Sequence, residues 1–238
     1  MRTIATITLR EFKAYFLTPV AYVYLITFLL VVNWIFFRGF FLIGQADLRP
    51  MFGMMPWIFL FFAPAVAMGK WAEERKQGTL EMLLTMPVTS LHVVMAKFLA
   101  GLMLIACAVT LTLPAALVVT LVGPLDWGPV LGGYAGALML GGAYLAIGLF
   151  FSALTHNQIV AFIMGVVACF ILFIVGTPLI TMGAKGVTAQ ILQYLALGTH
   201  FDSIARGVID TRDVIYYCSV IGFFLFLNWL VVREKART

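Results

Sequence analysis

The sequence predicts an all-α integral membrane protein of six transmembrane helices. Three observations predict it. The 238 residues are 63% hydrophobic and only 11% charged, whereas a water-facing domain carries about 25% charged residues. The mean hydropathy is +1.06. Six apolar stretches, 19–37, 54–70, 94–121, 127–154, 158–181 and 214–232, approach or exceed the roughly 20 residues that cross a bilayer's hydrocarbon core.

The elements follow in order. Residues 1–18 form an amphipathic interfacial helix, with Ala5, Leu9, Phe12 and Phe16 recurring at helical spacing and Arg2, Arg10, Glu11 and Lys13 on other faces. The start, MRTIATITLREFKAYF, has no uninterrupted apolar core and no small-residue cleavage site, so no removable signal peptide is expected. Pro19 suits the first turn of span one. Pro56, Pro64 and Pro114 lie inside apolar runs and are expected to kink them. In span four, Gly132, Gly136 and Gly141 lie on a small-residue face suited to close helix packing; lining a pathway is the alternative. Asn33 and Asn228 near span ends are read as interhelical hydrogen-bonding groups. No acidic or basic residue sits in mid-span, which argues against a proton- or ion-coupled carrier.

With six spans, Arg2, Arg10, Lys13, Lys70, Arg75, Lys76, Lys97, Arg233, Lys235 and Arg237 fall on one side, and Arg38, Arg49, Lys185, Arg206 and Arg212 on the other. This asymmetry puts both termini in the cytoplasm. It also accounts for the net charge of +5 as a topology signal, and no nucleic-acid partner is expected.

The stretch 73–87, EERKQGTLEMLLTMP, gathers charge in an otherwise apolar chain, on the inner side between spans two and three. Leu80, Leu83 and Leu84 make an i, i+3, i+4 face. Gly78 and Thr79 break the preceding helix and cap the next, Pro87 ends it, and Ser90 caps span three. Glu73, Glu74 and Glu81 disfavour anionic headgroups, so a protein partner with basic groups and an apolar groove is the better reading. On the outer side, the loop 182–213 carries a helical stripe of Phe201, Ile204, Ala205 and Val208. Thr199 with Asp202 reads as a capping box, Gly207 as the stop, and Asp210 with Asp213 as caps of span six. One reading makes this re-entrant loop an extracytoplasmic gate or partner contact, with His200, Phe201, Ile204, Arg206, Asp210 and Asp213; the other makes it a loop packed on the bundle.

The segment EERKQGTLEMLLTMPVTSLHVVMAKFLAG resembles the signature of type-2 ABC transporter permeases, and LREFKAYFLTPVAYV is similar to that family's connecting helix entering its first span. The tail HFDSIARGVIDTRDVIYY resembles the gliding-motility-associated permease subfamily, although Leu197-Gly198 stands where many relatives have Ser-Pro. The resemblance covers essentially the whole chain as one six-span permease domain, 1–238. It implies two permease copies in the bacterial inner membrane, paired with cytoplasmic ATPase subunits that use ATP and Mg. Residues 73–87 are then the coupling helix, with Glu73, Glu74, Gly78, Thr79, Leu80, Glu81, Leu83, Leu84 and Pro87 at the ATPase interface. It further implies an auxiliary membrane subunit with a large extracytoplasmic domain. The cargo of such an exporter is expected to be apolar or lipid-linked. The alternative is a complex that passes force to an extracytoplasmic partner without moving cargo.

The chain has no GxxxxGK[ST] phosphate loop, so ATP hydrolysis is assigned to a partner and no catalytic residue is expected here. A membrane enzyme is the rival class, but His92, His156 and His200 are scattered. Met51, Met54 and Met55 suit soft Cu(I), yet Met is also a common core filler, and no metal site is expected. Cys107, Cys169 and Cys218 are far apart and suggest no disulfide framework.

Overall fold

The computed structural model describes residues 2–76, 78, 89–182, 186–208 and 210–235. Among these, every regular element is helical: α1 (Arg2–Leu17), α2 (Pro19–Ile43), α3 (Arg49–Ala67), α4 (Gly69–Lys76), α5 (Ser90–Thr110), α6 (Leu113–Val122), α7 (Trp127–Leu154), α8 (Gln158–Ile174), α9 (Pro178–Thr181), α10 (Val187–Leu195), α11 (Leu197–Ala205) and α12 (Thr211–Lys235). Five continuous stretches are long and apolar enough to cross a membrane: Pro19–Leu42, Arg49–Lys76, Ser90–Val122, Trp127–Leu154 and Thr211–Lys235.

The expected fifth span, 158–181, is shorter than its hydropathy suggests. Its helix stops at Ile174 because Thr177 precedes Pro178 and takes an extended backbone, as steric clash with a proline ring requires. The 17 residues of α8 rise roughly 26 Å, slightly less than the hydrocarbon thickness.

The bundle is built around α7. Its small residues let neighbours close in on several sides. A Cβ on Gly132 would lie 2.6 Å from the Ile204 carbonyl oxygen, and one on Gly148 would lie 2.8 Å from the Ala67 Cβ. Gly141 faces Ile105, and Gly142 faces Ile221. Helices α3, α5, α8, α11 and α12 all pack on α7. An aromatic cluster of Tyr24, Phe28, Phe59 and Phe62 joins α2 to α3.

The prolines act differently from one another. Pro56 and Pro64 stay inside α3. Pro114 marks a kink: α5 ends at Thr110, Leu111 and Thr112 keep right-handed helical backbone angles, and Pro114 occupies the first turn of α6. Several capping assignments change as well. Thr89, not Ser90, precedes α5, and its hydroxyl lies 2.7 Å from His92 Nδ1. Thr199 sits inside α11, and its hydroxyl lies 2.7 Å from the Gln193 carbonyl oxygen and 2.9 Å from that of Ala196, with one hydrogen to share between them. A single residue separates α10 from α11, so carbonyls at the end of α10 lie within reach of that hydroxyl and no capping box forms. Asp210 does serve α12, accepting from the Arg212 N–H, while Asp213 turns elsewhere. Asn33 donates to Leu29 of its own helix, and buried Asn228 has no partner among the described residues.

Candidate functional site

Two polar centres interrupt the apolar bundle, one at each end. The first forms where α3 passes into α4. The helix turns at Met68, and Ser152 of α7 repairs the break. Its hydroxyl donates to the Met68 carbonyl (2.8 Å) and accepts from the Trp71 and Ala72 N–H groups (3.1 and 3.3 Å). One hydroxyl has the single donor and two lone pairs this requires.

Beside this junction lies an alternating set of charges. Lys97 of α5 is 1% exposed, and its Nζ is 2.5 Å from Glu74 and 3.5 Å from Glu11. Lys70 reaches Glu11 at 3.1 Å and lies 3.7 Å above the Tyr15 ring, while Lys97 lies 4.9 Å from the Trp71 ring centre. Taking charges out of water is expensive, and only full pairing makes it tolerable. The cluster therefore fixes α1, α4 and α5 to one another. Close by, Arg75 donates to the Ala153 carbonyl at 2.9 Å and to His156, and Lys235 at the end of α12 donates to the same carbonyl at 2.8 Å.

This arrangement rotates α1 from the expected face. Leu9 is 51% exposed, and Ala5 is exposed too. The face turned inward carries Thr8, Glu11, Phe12 and Tyr15, because Glu11 must reach the two lysines.

Burial alone would raise the Glu11 carboxyl, but Lys97 and Lys70 outweigh it and hold it below the ordinary glutamate range. A depressed carboxylate stabilises the fold fully above its unfolded value and loses that contribution as pH falls through the folded value. Hydrogen exchange of α1 amides, corrected for intrinsic rates, should show protection that persists near neutrality and fades in acid below the ordinary glutamate range. In Glu11→Gln this acid step should be reduced.

The second centre lies at the opposite end. His200 Nδ1 is 2.6 Å from Asp213 Oδ1, and Nε2 is 2.9 Å from the Tyr194 carbonyl. Both ring nitrogens face oxygen atoms. The ring stacks on Tyr216 with centroids 3.9 Å apart. Tyr216 and Tyr217 donate to the carbonyls of Leu195 and Leu197. These bonds tie the α10–α11 hairpin to the start of α12. Gly207, at φ +92°, makes the turn between them against the backbone of Pro129.

The family described as ABC-2 family transporter protein matches residues 12–233, nearly the entire chain. The chain belongs to the ABC-2 transporter family. No curated protein matches it. Membership makes this ABC-2 chain a transmembrane permease component of an ABC transporter.

Within the permease, the residues singled out by sequence fall into three groups. Thr79, Leu80, Glu81, Leu83, Leu84 and Pro87 lie outside the described residues. Of their neighbours, Glu73 is exposed, Glu74 is committed to Lys97, and Gly78 follows the end of α4 at φ +68°. Gly132 and Gly136 receive α11 through Ile204 and Phe201, and Gly141 receives α5. His200, Phe201, Ile204 and Asp213 converge on the bundle, whereas Arg206 and Asp210 face outward. Sequence reasoning missed the partnership of Glu11, Lys70, Glu74 and Lys97, and the role of Ser152. The available signal was Lys97 itself: a lysine inside VVMAKFLAG needs a carboxylate wherever that segment is buried.

Proposed function

We propose that this permease is driven by a separate cytoplasmic ATPase and that residues 73–87 are the coupling helix docked on it. The observation that carries this reading is the position of the ion-pair cluster. The segment 79–88 leaves α4 just after Glu74 and enters α5 seven residues before Lys97, and these two residues pair with each other. A push on the segment therefore meets a rigid clamp. Through Glu11 it reaches α1, and through the Ser152 junction it reaches α7, the centre of the bundle. Glu73 and Glu81 offer the ATPase charge, and Leu80, Leu83 and Leu84 offer it an apolar face.

The charged end is the cytoplasmic end on this reading, since it holds most of the basic residues. Helix α8 runs from Gln158 beside that end to Phe173, which touches Gly198 near the other. Its path supports a sixth crossing, with both termini inside. The working complex has two copies of this permease, ATPase subunits using ATP and Mg, and an auxiliary subunit with a large extracytoplasmic domain, as in gliding-motility-associated relatives. It sits in the bacterial inner membrane and exports an apolar or lipid-linked cargo.

The test is co-purification with a Walker-motif ATPase encoded beside the permease. Glu81→Lys together with Leu84→Asp should abolish recovery of the ATPase while the permease keeps its wild-type elution profile. Undiminished recovery would refute the assignment.

A further inference from the structure

Helix α10 rests lightly on the bundle. None of its residues is buried, and Val187, Ile191 and Tyr194 are each more than half exposed. What fixes its end is polar. The His200 ring of α11 stands between the Tyr194 carbonyl of α10, 2.9 Å from Nε2, and the Asp213 carboxyl group of α12, 2.6 Å from Nδ1. The ring is a bridge from α10 to α12.

This bridge needs one proton more than a neutral histidine and an ionised aspartate bring to it. A backbone carbonyl only accepts, so the Nε2 contact requires an N–H. A neutral imidazole has a single N–H, and Nδ1 is then a bare lone pair facing Asp213. Two acceptors 2.6 Å apart repel, so a proton lies between Nδ1 and Oδ1. Whether it sits nearer nitrogen or oxygen, it belongs to the pair and the count is the same. The surroundings favour holding it. Asp213 Oδ2 is buried without a partner among the described residues, so a full negative charge there has no second donor. The Tyr216 ring lies under the imidazole, and an aromatic face attracts a cation.

Nothing else at the ring takes over that proton's task. The other titratable groups against it are Tyr194 and Tyr216, with Tyr217 beyond. Asp202 and Arg206 on α11 are exposed, as are Asp210 and Arg212 where α12 begins. Helices α7 and α8, which pack on α11, contain no Asp, Glu, Lys, Arg or His, and α3 has only the exposed Arg49.

We propose that the proton shared by His200 and Asp213 latches α10 to α12, and that this end of the permease loosens as pH rises. Loss of the proton to water leaves either Nδ1 against the carboxylate or Nε2 against the carbonyl. The bridge then gives way at whichever contact joins two acceptors. The proton-bound form is the latched one, so the latch is complete on the acid side and is lost as pH climbs through the pair's titration. On the topology proposed above this end faces outside, and the latch responds to external pH. The latch itself does not depend on ATPase docking.

The test uses the full-length permease in detergent, with Cys107, Cys169 and Cys218 replaced by Ala and a nitroxide on Gln190→Cys, an exposed position of α10. Spectra are recorded from about pH 5 to about pH 9, across the usual histidine range. The ratio of mobile to immobilised signal should rise about tenfold with pH, the lower end for losing a hydrogen bond to a charged group. A nitroxide on Leu131→Cys of α7 should not change. Asp213→Asn decides the matter. Its amide donates to a neutral Nδ1 while the Nε2 N–H keeps the carbonyl, so α10 should stay immobilised at every pH. His200→Ala should give the mobile signal at every pH. A Gln190→Cys label that ignores pH, a step that persists in Asp213→Asn, or an α10 that stays immobilised in His200→Ala would each overturn the proposal.

Discussion

Replacing Lys97 by Met should destabilise the permease by about 3 kcal/mol, the lower end for stranding one partner of a buried ion pair. Met matches the length and apolar character of the lysine stem, so packing changes little and the loss is electrostatic. Glu11 keeps Lys70, but Glu74 loses its 2.5 Å ion pair with Lys97. Its side chain is 23% exposed, so water offsets part of the loss. Reversible unfolding in detergent with increasing denaturing surfactant would measure the change. A second variant separates charge from shape. Lys97→Met combined with Glu74→Gln removes both members, and neutral replacement of a buried pair costs far less than breaking it. Recovery of most of the lost stability in the double variant is expected. A double variant as unstable as the single one would mean that Lys97 acts through packing alone.

The second large effect is expected at Gly132. Its missing side chain lets the Ile204 carbonyl approach to 2.6 Å from where a Cβ would stand, and the Gly207 Cα to 3.0 Å. Both obstacles are backbone, so neither can rotate away. Gly132→Val should cost about 3 kcal/mol, the upper end of the usual range for overpacking, and should lift α11 from α7. Because α11 carries His200, the His200–Asp213 contact should open with it, seen as a change in the histidine ring resonances. Gly39→Ala is the control, since nothing lies within 4 Å of the position a Cβ would take. It should leave stability unchanged or slightly raised, because alanine is the better helix former. Equal losses at the two sites would show that α7 and α11 are not interlocked through Gly132.

Much of the bundle was legible in the sequence because bilayer physics is local. Apolar run length, the proline positions and the small residues of α7 each act within a few residues of chain. The errors came where a distant group won. The Thr199–Asp202 pattern is a sound capping signal in isolation, but the end of α10 lay close enough to take the threonine. The stripe Ala5, Leu9, Phe12 and Phe16 marks an amphipathic helix, yet which side faces the bundle was decided by Glu11. Its lysine partners stand 59 and 86 residues away. No periodicity reports a contact of that separation. Ser152 is the extreme case: a lone serine near a helix end carries no signal until the break at Met68 is beside it. The α8 boundary failed for a different reason, since hydropathy continues past Ile174 while Pro178 ends the helix.

The most direct test of ATP coupling places a single cysteine at Leu84, with Cys107, Cys169 and Cys218 replaced by Ala, in membranes that also contain the ATPase. Leu84→Cys should be captured by a short bifunctional reagent in a covalent product with the ATPase, and a spin label there should show low exposure to oxygen dissolved in lipid. A cysteine that stays uncaptured while its label reads as immersed in the bilayer would contradict the lever placed between α4 and α5.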